Sequence, residues 1–163
     1  MDIYLIRHGI AVERGTYVDD RERPLIQKGR NKTTKVAESL LDKGIKFDLI
    51  LTSPLVRAYQ TAEILQQGNL AEDIEVFDAL KPDGNIHHLI RWLEQKNESQ
   101  IDELALVKHQ PDLGNWVEML IWGRVKGQII VKKAGVVGIE LPNIGTPIAR
   151  STLFLLTSPK WVV

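Results

Sequence analysis

Residues 47–67 read FDLILTSPLVRAYQTAEILQQ. The opening run, Phe47–Thr52, has the length and apolar character of a strand. The remainder, Pro54–Gln67, reads as a helix with Ser53 as its N-cap and Pro54 at the first helical position. A strand therefore opens directly into a helix, and the same unit recurs along the chain. Upstream, Asp2–Arg7 is a first strand. The polar, irregular Gly9–Gly29 stretch, with its charge cluster at Asp19–Arg23, reads as a long functional loop. Asn31–Lys43 is a helix, with Val36/Leu40 and Ala37/Leu41 at i,i+4 spacing and Gly44 as its stop. Downstream, Ile74–Phe77 is a third strand. Ile86, Leu89, Ile90 and Leu93 fit i, i+3, i+4, i+7 and predict a third helix from Asn85 to Lys96. Leu104–Val107 is a fourth strand. Leu113, Trp116, Val117, Leu120 and Ile121 mark a fourth amphipathic helix starting at Pro111. Val136–Leu141 and Ser151–Thr157 are two last strands, and the Pro142–Pro147 stretch between them suits an antiparallel hairpin.

Strands alternating with helices imply βαβ units and a mostly parallel sheet covered on both faces. The expected fold is a single domain over residues 1–163, a three-layer α/β/α sandwich whose last two strands form an antiparallel edge. At 163 residues such a chain buries roughly 70% of its unfolded surface, enough for a core without staples. The absence of cysteine excludes disulfides, thiolate metal sites and a cysteine nucleophile. Twenty-one basic residues balance 21 acidic ones, which argues against a nucleic-acid binder relying on a cationic excess. The first residues lack the cationic start and apolar core of a signal peptide. No apolar run approaches the ~18 residues of a membrane span. A cytoplasmic protein, without a membrane partner, is the expectation.

In open α/β sheets, ligands bind beyond the carboxyl ends of the strands. Three such ends carry unusual residues: Arg7-His8-Gly9, Thr52-Ser53-Pro54-Leu55-Val56-Arg57, and Lys108-His109-Gln110-Pro111. The second and third run into helix N-termini, whose free N–H groups favour anions. Singly, each has an ordinary reading: a surface turn for Arg7-His8, a helix start for Ser53-Pro54, a solvated helix residue for Arg57, a loop histidine for His109. Jointly, two histidines, two arginines and two helix N-termini at one sheet edge describe a phosphoryl pocket with imidazoles available for chemistry.

Leu5-Ile6-Arg7-His8-Gly9 resembles the Arg-His-Gly signature of the histidine phosphatase superfamily, which includes the phosphoglycerate mutases. Thr52–Ala62 resembles its S-P-x-x-R-x-x-Q-T-A block, and Leu106–Leu113 its strand-to-helix histidine block. Nearly the whole chain is covered. Arg23-Pro24-Leu25 followed by Gly29, the Leu80-x-Pro82-x-Gly84 stretch, and Lys132-Lys133-Ala134-Gly135-Val136 resemble the compact SixA-type phosphohistidine phosphatases, which lack the large insertions of the mutases. Lys108 departs from the pattern, since the superfamily usually has a small residue there. It either adds charge to the pocket or, as strand alternation favours, points away from the side of His109.

The resemblance implies that His8 is the nucleophile and forms a phosphohistidine intermediate that water hydrolyses. It casts Arg7 and Arg57 as clamps on the phosphoryl oxygens and His109 as a further donor to the transition state. Gly9, Ser53 and Gln110 are the additional candidate binding residues, with backbone N–H groups near Ser53 and Gln110 completing the cradle. Many members carry a glutamate acid after the third strand, where this chain has Leu80-Lys81-Pro82, and proline has no proton to give. A phosphoramidate needs an acid less than an ester does, because imidazole leaves more readily than an alkoxide. The expected substrate is thus phosphohistidine on a protein, such as a histidine phosphotransfer domain. Glu13, Asp19 and Asp83 lie in loops from which an acid could still reach the site.

The alternatives are a small-molecule phosphomonoesterase of the same superfamily and a non-catalytic phosphohistidine-binding regulator. No GxGxxG or Walker motif appears, so no nucleotide cofactor is expected. His87 and His88 diverge by about 100° on a helix and make a poor metal pair, so no metal is expected either. Trp92 and Trp116 occupy packing positions. The terminal Trp161-Val162-Val163 reads as edge packing or a contact in a weak dimer; a monomer is the other expectation.

Overall fold

A computed structural model of the chain describes residues 1–96 and 100–162. Its strands are β1 (Asp2–Arg7), β2 (Leu49–Thr52), β3 (Ile74–Val76), β4 (Glu103–Lys108), β5 (Val136–Glu140) and β6 (Thr152–Thr157). They form one six-stranded sheet in the order β3-β2-β4-β1-β5-β6. β1 to β4 run parallel, and β5 runs antiparallel between β1 and β6. The antiparallel edge foreseen from the sequence is therefore one reversed strand, with β6 pointing the same way as β1. The helices are α1 (Gln27–Asp42), α2 (Val56–Gln67), α3 (Ile86–Gln95), α4 (Asp112–Trp122) and the short α5 (Pro159–Val162).

Period-two alternation along the strands builds two cores. Ile3 and Leu5 of β1 face one side with Leu51, Leu104, Leu106 and Ile139, and α3 and α4 cover them with Leu89, Leu113, Val117 and Leu120. Tyr4 and Ile6 face the other side with Ile50, Ala105 and Val107, under Val36 and Leu40 of α1 and Ala58, Ala62 and Leu65 of α2. This is the expected α/β/α sandwich, a mixed sheet with two helices on each face.

Several boundaries differ from the sequence reading, each for a physical reason. α1 starts at Gln27 rather than Asn31, so Gly29 lies inside the helix and not in the loop. Glycine is required there by close approach: a Cβ on Gly29 would stand 2.1 Å from the Ile10 carbonyl oxygen. α1 stops as foreseen, with Gly44 left-handed at φ 78° beyond Lys43. α2 starts at Val56, two residues late, with an uncapped Leu55 in front of it. Ser53 is not its cap residue, because the helix begins later, behind Leu55; the Ser53 hydroxyl still accepts the Leu55 N–H at 3.3 Å. Asn85 does cap α3, accepting the His87 N–H at 2.9 Å. α5 was not foreseen; Trp161 is exposed, and Val163 lies outside the described residues. Among the described residues no helix is long and apolar enough to cross a membrane.

Candidate active site

β1 and β4 are neighbours in register, with Arg7 opposite Lys108. The next residue on each chain segment is a histidine. The His8 N–H donates to the Lys108 carbonyl at 3.2 Å, and the two imidazole rings lie 5.0 Å apart, centre to centre. Both histidines are 3% exposed. α2 brings the third group. Arg57, Ala58, Thr61, Ala62 and Leu65 form its buried stripe, so Arg57 begins a face that is otherwise core and is itself buried.

His8 has a determined tautomer. Its Nδ1 lies 2.8 Å from the Gly9 carbonyl oxygen, which can only accept, so Nδ1 carries the proton. The neutral ring then has its lone pair on Nε2. Burial holds the His8 pKa well below the ordinary imidazole value, with the charge of Lys133 next in effect and His109 and Arg57 pushing the same way. The ring is therefore neutral at pH 7. Gly9 differs from the expected phosphate contact: its N–H is taken by Thr61 Oγ1 at 3.0 Å. Its part in the site is to orient His8 through the carbonyl.

His109 Nε2 lies 2.8 Å from Ser53 Oγ. Ser53 Oγ also accepts the Leu55 N–H at 3.3 Å, and among the described residues its own hydrogen has no acceptor but Nε2. That pairing leaves the imidazole proton on Nδ1, which is buried and has no partner among the described residues. Burial first, then Arg57, Lys108 and Lys133, depress the His109 pKa to about 3, against the pull of Asp20. The Ser53 N–H is not free for a ligand, since it donates to Val107 at 3.1 Å. The Gln110 side chain turns away to Ile129, donating to its carbonyl at 2.9 Å.

The two arginines are each fixed at one end and free at another. Arg7 Nη1 donates to the Val131 carbonyl at 2.7 Å. Arg57 Nη1 and Nη2 donate to the Asp20 carbonyl at 2.8 Å and the Asp20 carboxylate at 3.1 Å. The Nε–H of both is buried without a partner among the described residues. Three orphan donors, Arg7 Nε, Arg57 Nε and His109 Nδ1, thus accompany the lone pair of His8 Nε2. Buried donors in this condition cost free energy until an acceptor arrives. An oxyanion is the kind of acceptor such donors call for.

Two loops hold this arrangement. The first runs from Ile10 to Ile26 and is closed on itself by bonds from Val12 to Pro24 and from Ile26 to Ile10. Asp20 on this loop binds Arg57 and also accepts from Arg23 Nε at 2.7 Å. The bond from Arg23 keeps the Asp20 carboxyl below the usual carboxylate range, against burial and with help from Arg57. The second loop follows α4. Buried Glu118 accepts the N–H groups of Lys126, Gly127, Gln128 and Ile129 on its two oxygens. Two residues on, Val131 anchors Arg7, and Ala134 donates to the carbonyls of Arg7 and His8 at 3.1 and 3.2 Å.

Of the candidate acids, Asp19 pairs with Arg21 on the exposed loop, and Asp83 sits beside Asp112 and Lys108. Glu13 is exposed. Lys108 is fully buried on the opposite side of the sheet, 4.2 Å over the Trp116 ring, with Nζ 3.3 Å from the Lys81 carbonyl and 3.8 Å from Asp112. His87 and His88 are exposed. The sequence reading gave no role to Asp20, Arg23, Glu118 or Lys133. The charge cluster at residues 19–23 was a signal for the first two. Glu118, a lone acid inside an apolar helix, was a signal for the third.

A family model described as histidine phosphatase superfamily (branch 1) matches residues 3–82. The chain is 43% identical to an uncharacterized protein of Picosynechococcus, over 100% of this chain and 99% of that one. It is 25% identical to the phosphohistidine phosphatase SixA of Escherichia coli over 90% of each. A solved structure of the protein histidine phosphatase SixA complexed with tungstate superposes with a TM-score of 0.86, at 23% identity and 100% coverage of both chains.

Proposed function

The chain belongs to the histidine phosphatase superfamily, and from that membership we propose that it is a SixA-like phosphatase that removes the phosphoryl group from phosphohistidine on a protein. The observation that carries this reading is the state of His8. Its Nδ1–H is spent on Gly9, its ring is neutral, and its bare Nε2 stands among three unsatisfied donors. A neutral nucleophile beside fixed donors is what a phosphoryl dianion requires.

In this reading His8 Nε2 attacks phosphorus while the bond to the leaving nitrogen breaks. Arg7 and Arg57 hold the phosphoryl oxygens through their free N–H groups, and His109 Nδ1–H supplies a third bond. Because Asp20, Val131 and Ser53 already hold these side chains, little reorganisation accompanies the reaction. Water then attacks the phosphohistidine and releases phosphate. The route uses side chains alone. The chemistry of tungstate, a tetrahedral oxyanion like phosphate, is in keeping with such a pocket.

Support for phosphohistidine over esters comes from Leu80-Lys81-Pro82, a stretch that offers no carboxylic acid to a strongly basic alkoxide. Pro82 bears no acid, and the Lys81 carbonyl is turned to Lys108, away from His8. The same reading takes residues 1–163 as one phosphatase domain, acting in the cytoplasm as a monomer or weak dimer. Its partner is a phosphohistidine-bearing protein such as a histidine phosphotransfer domain. The test compares a phosphorylated histidine phosphotransfer domain, phosphoserine and p-nitrophenyl phosphate in steady state, with phosphate trapping on His8. The expected result is preference for the phosphohistidine protein and a trapped phosphoenzyme that vanishes in His8→Ala. Equal or better turnover of the esters overturns the substrate assignment. A wild-type chain that traps nothing on His8 overturns the mechanism.

A further inference from the structure

Breaking the bond from phosphorus to a basic nitrogen or oxygen is helped by a proton delivered to the departing atom. Few groups around the pocket hold one to give. Asp19 is locked to Arg21 by bonds of 2.8 to 3.0 Å on the exposed loop. Asp20 is bonded to both Arg23 and Arg57, which keep it ionised. Asp83 sits with Lys108 and Asp112 on the other side of the sheet.

Lys133 stands differently. It precedes Ala134, whose N–H bridges the carbonyls of Arg7 and His8, and it follows Val131, whose carbonyl holds Arg7, by two residues. The bonds on either side thus place Lys133 in the segment that runs beside the end of β1. Its side chain is half-buried, and its ammonium has neither hydrogen bond nor ion pair with any described residue. Among the charges acting on His8, that of Lys133 is the largest. Lys133 is faced by Arg7 from β1, Arg14 and Arg23 from the first loop, Arg57 from α2, and the neutral rings of His8 and His109. Burial, followed by the four guanidiniums, pushes its ammonium down to about 8. An unpaired ammonium in such company is poised to lose its proton to a base that forms beside it.

We propose that Lys133 is a further catalytic residue: the general acid that protonates the leaving atom. This rests on the reading of His8 as the nucleophile of a phosphatase. In the first step the His8 Nε2 lone pair forms the new N–P bond. The electron pair of the breaking bond goes to the leaving atom, which takes the proton from Lys133 Nζ. In the second step water oxygen bonds to phosphorus and the N–P electron pair returns to His8. Neutral Lys133 accepts the proton of that water, restoring the starting state.

The test is the dependence on leaving group, with Lys133→Met, Lys133→Arg and, for the remaining candidate acid, Glu13→Gln. p-Nitrophenolate leaves readily without a proton; phenolate does not. Lys133→Met is expected to lose about 100-fold in kcat/KM on phenyl phosphate and less than about tenfold on p-nitrophenyl phosphate. Lys133→Arg keeps the charge but holds its proton too tightly, so it fails to restore phenyl phosphate turnover. The alkaline limb of kcat/KM for phenyl phosphate, near the Lys133 value of about 8, disappears in Lys133→Met. Equal losses on the two esters, rescue by arginine, or a leaving-group effect in Glu13→Gln instead each overturn the proposal. In all three cases a normal phosphoenzyme on His8 leaves the phosphatase reading intact. If wild type turns over neither ester nor a phosphohistidine protein, the phosphatase reading fails and the role of Lys133 fails with it.

Discussion

Replacing Lys108 by methionine gives a measurable change in how stability depends on pH. Lys108 is fully buried, and burial pushes its ammonium down to about 8, although Asp112 and Asp83 pull the other way. In the unfolded chain the same group holds its proton with a pKa near 10.5. The folded chain therefore binds this proton more weakly. Between pH 8 and 10.5 the unfolded chain carries a proton that the folded chain has lost, so stability rises with pH across that window. Below about 8 the whole cost of a buried ammonium is present. At about 1.4 kcal/mol for each tenfold change in proton affinity, that cost is about 3 kcal/mol, and about 2.5 kcal/mol of it is relieved between pH 7 and pH 10. Methionine keeps the stem packed on Trp116 and removes the titration. Urea unfolding followed by circular dichroism, at several pH values from 7 to 10, gives the stability of both chains, and their difference cancels every other group. The wild type should gain about 2.5 kcal/mol on the variant over that range. A difference that stays flat, or moves the other way, refutes the claim that Lys108 is a charge held in the core.

Two further outcomes follow from the site. Glu118→Gln turns one carboxylate oxygen into a donor that faces two backbone N–H groups; it should lower stability by about 2–4 kcal/mol and raise KM by loosening the loop that anchors Arg7, both read from unfolding curves and steady-state kinetics. Tungstate at about 100 times its Kd should stabilise the wild type by about 2.7 kcal/mol, or roughly 5–10 °C in Tm, and Arg57→Lys should lose most of that shift; an undiminished shift in the variant places the anion elsewhere.

The layers were legible because they are written in local periodicity. Leu104 and Leu106 face one core and Ala105 and Val107 the other, as strand alternation demands. The same alternation put Lys108 on the side away from His109, though nothing local announced that its charge would be wholly buried. The site was legible as far as it sits at strand ends: His8, His109, Arg7 and Arg57 converge because their strands and helix are adjacent. What could not be read were partners far apart in the chain. The bond from Arg57 to Asp20 spans 37 residues and that from Arg7 to Val131 spans 124. Ser53 looked like a cap because Ser-Pro opens many helices; its hydroxyl holds the Leu55 N–H ahead of the helix and also orients His109, 56 residues away. Gly29 looked like a helix boundary because glycine usually marks one, but here it admits the Ile10 backbone.

These long-range bonds also explain how a chain of zero net charge holds a strongly cationic pocket. Arg7, Arg14, Arg23, Arg57 and Lys133 act on one another there, and Asp20 is the carboxylate bonded among them. Burial followed by cationic neighbours lowers the pKa of Arg7, Arg57 and Lys133 alike, so each holds its proton less firmly than it would in water. The free site is thus costly to maintain, and the two cores of the sheet sustain it. An incoming dianion offsets these repulsions with an attraction to each cation. It supplies the counter-charge to the guanidiniums and acceptors for Arg7 Nε, Arg57 Nε and His109 Nδ1 in one event. Asp20 limits how far this goes, because it occupies two of the five N–H donors of Arg57 while the Nε–H stays without a partner among the described residues. Asp20 thus limits how tightly the site holds an oxyanion, and in the proposed mechanism that favours release of phosphate.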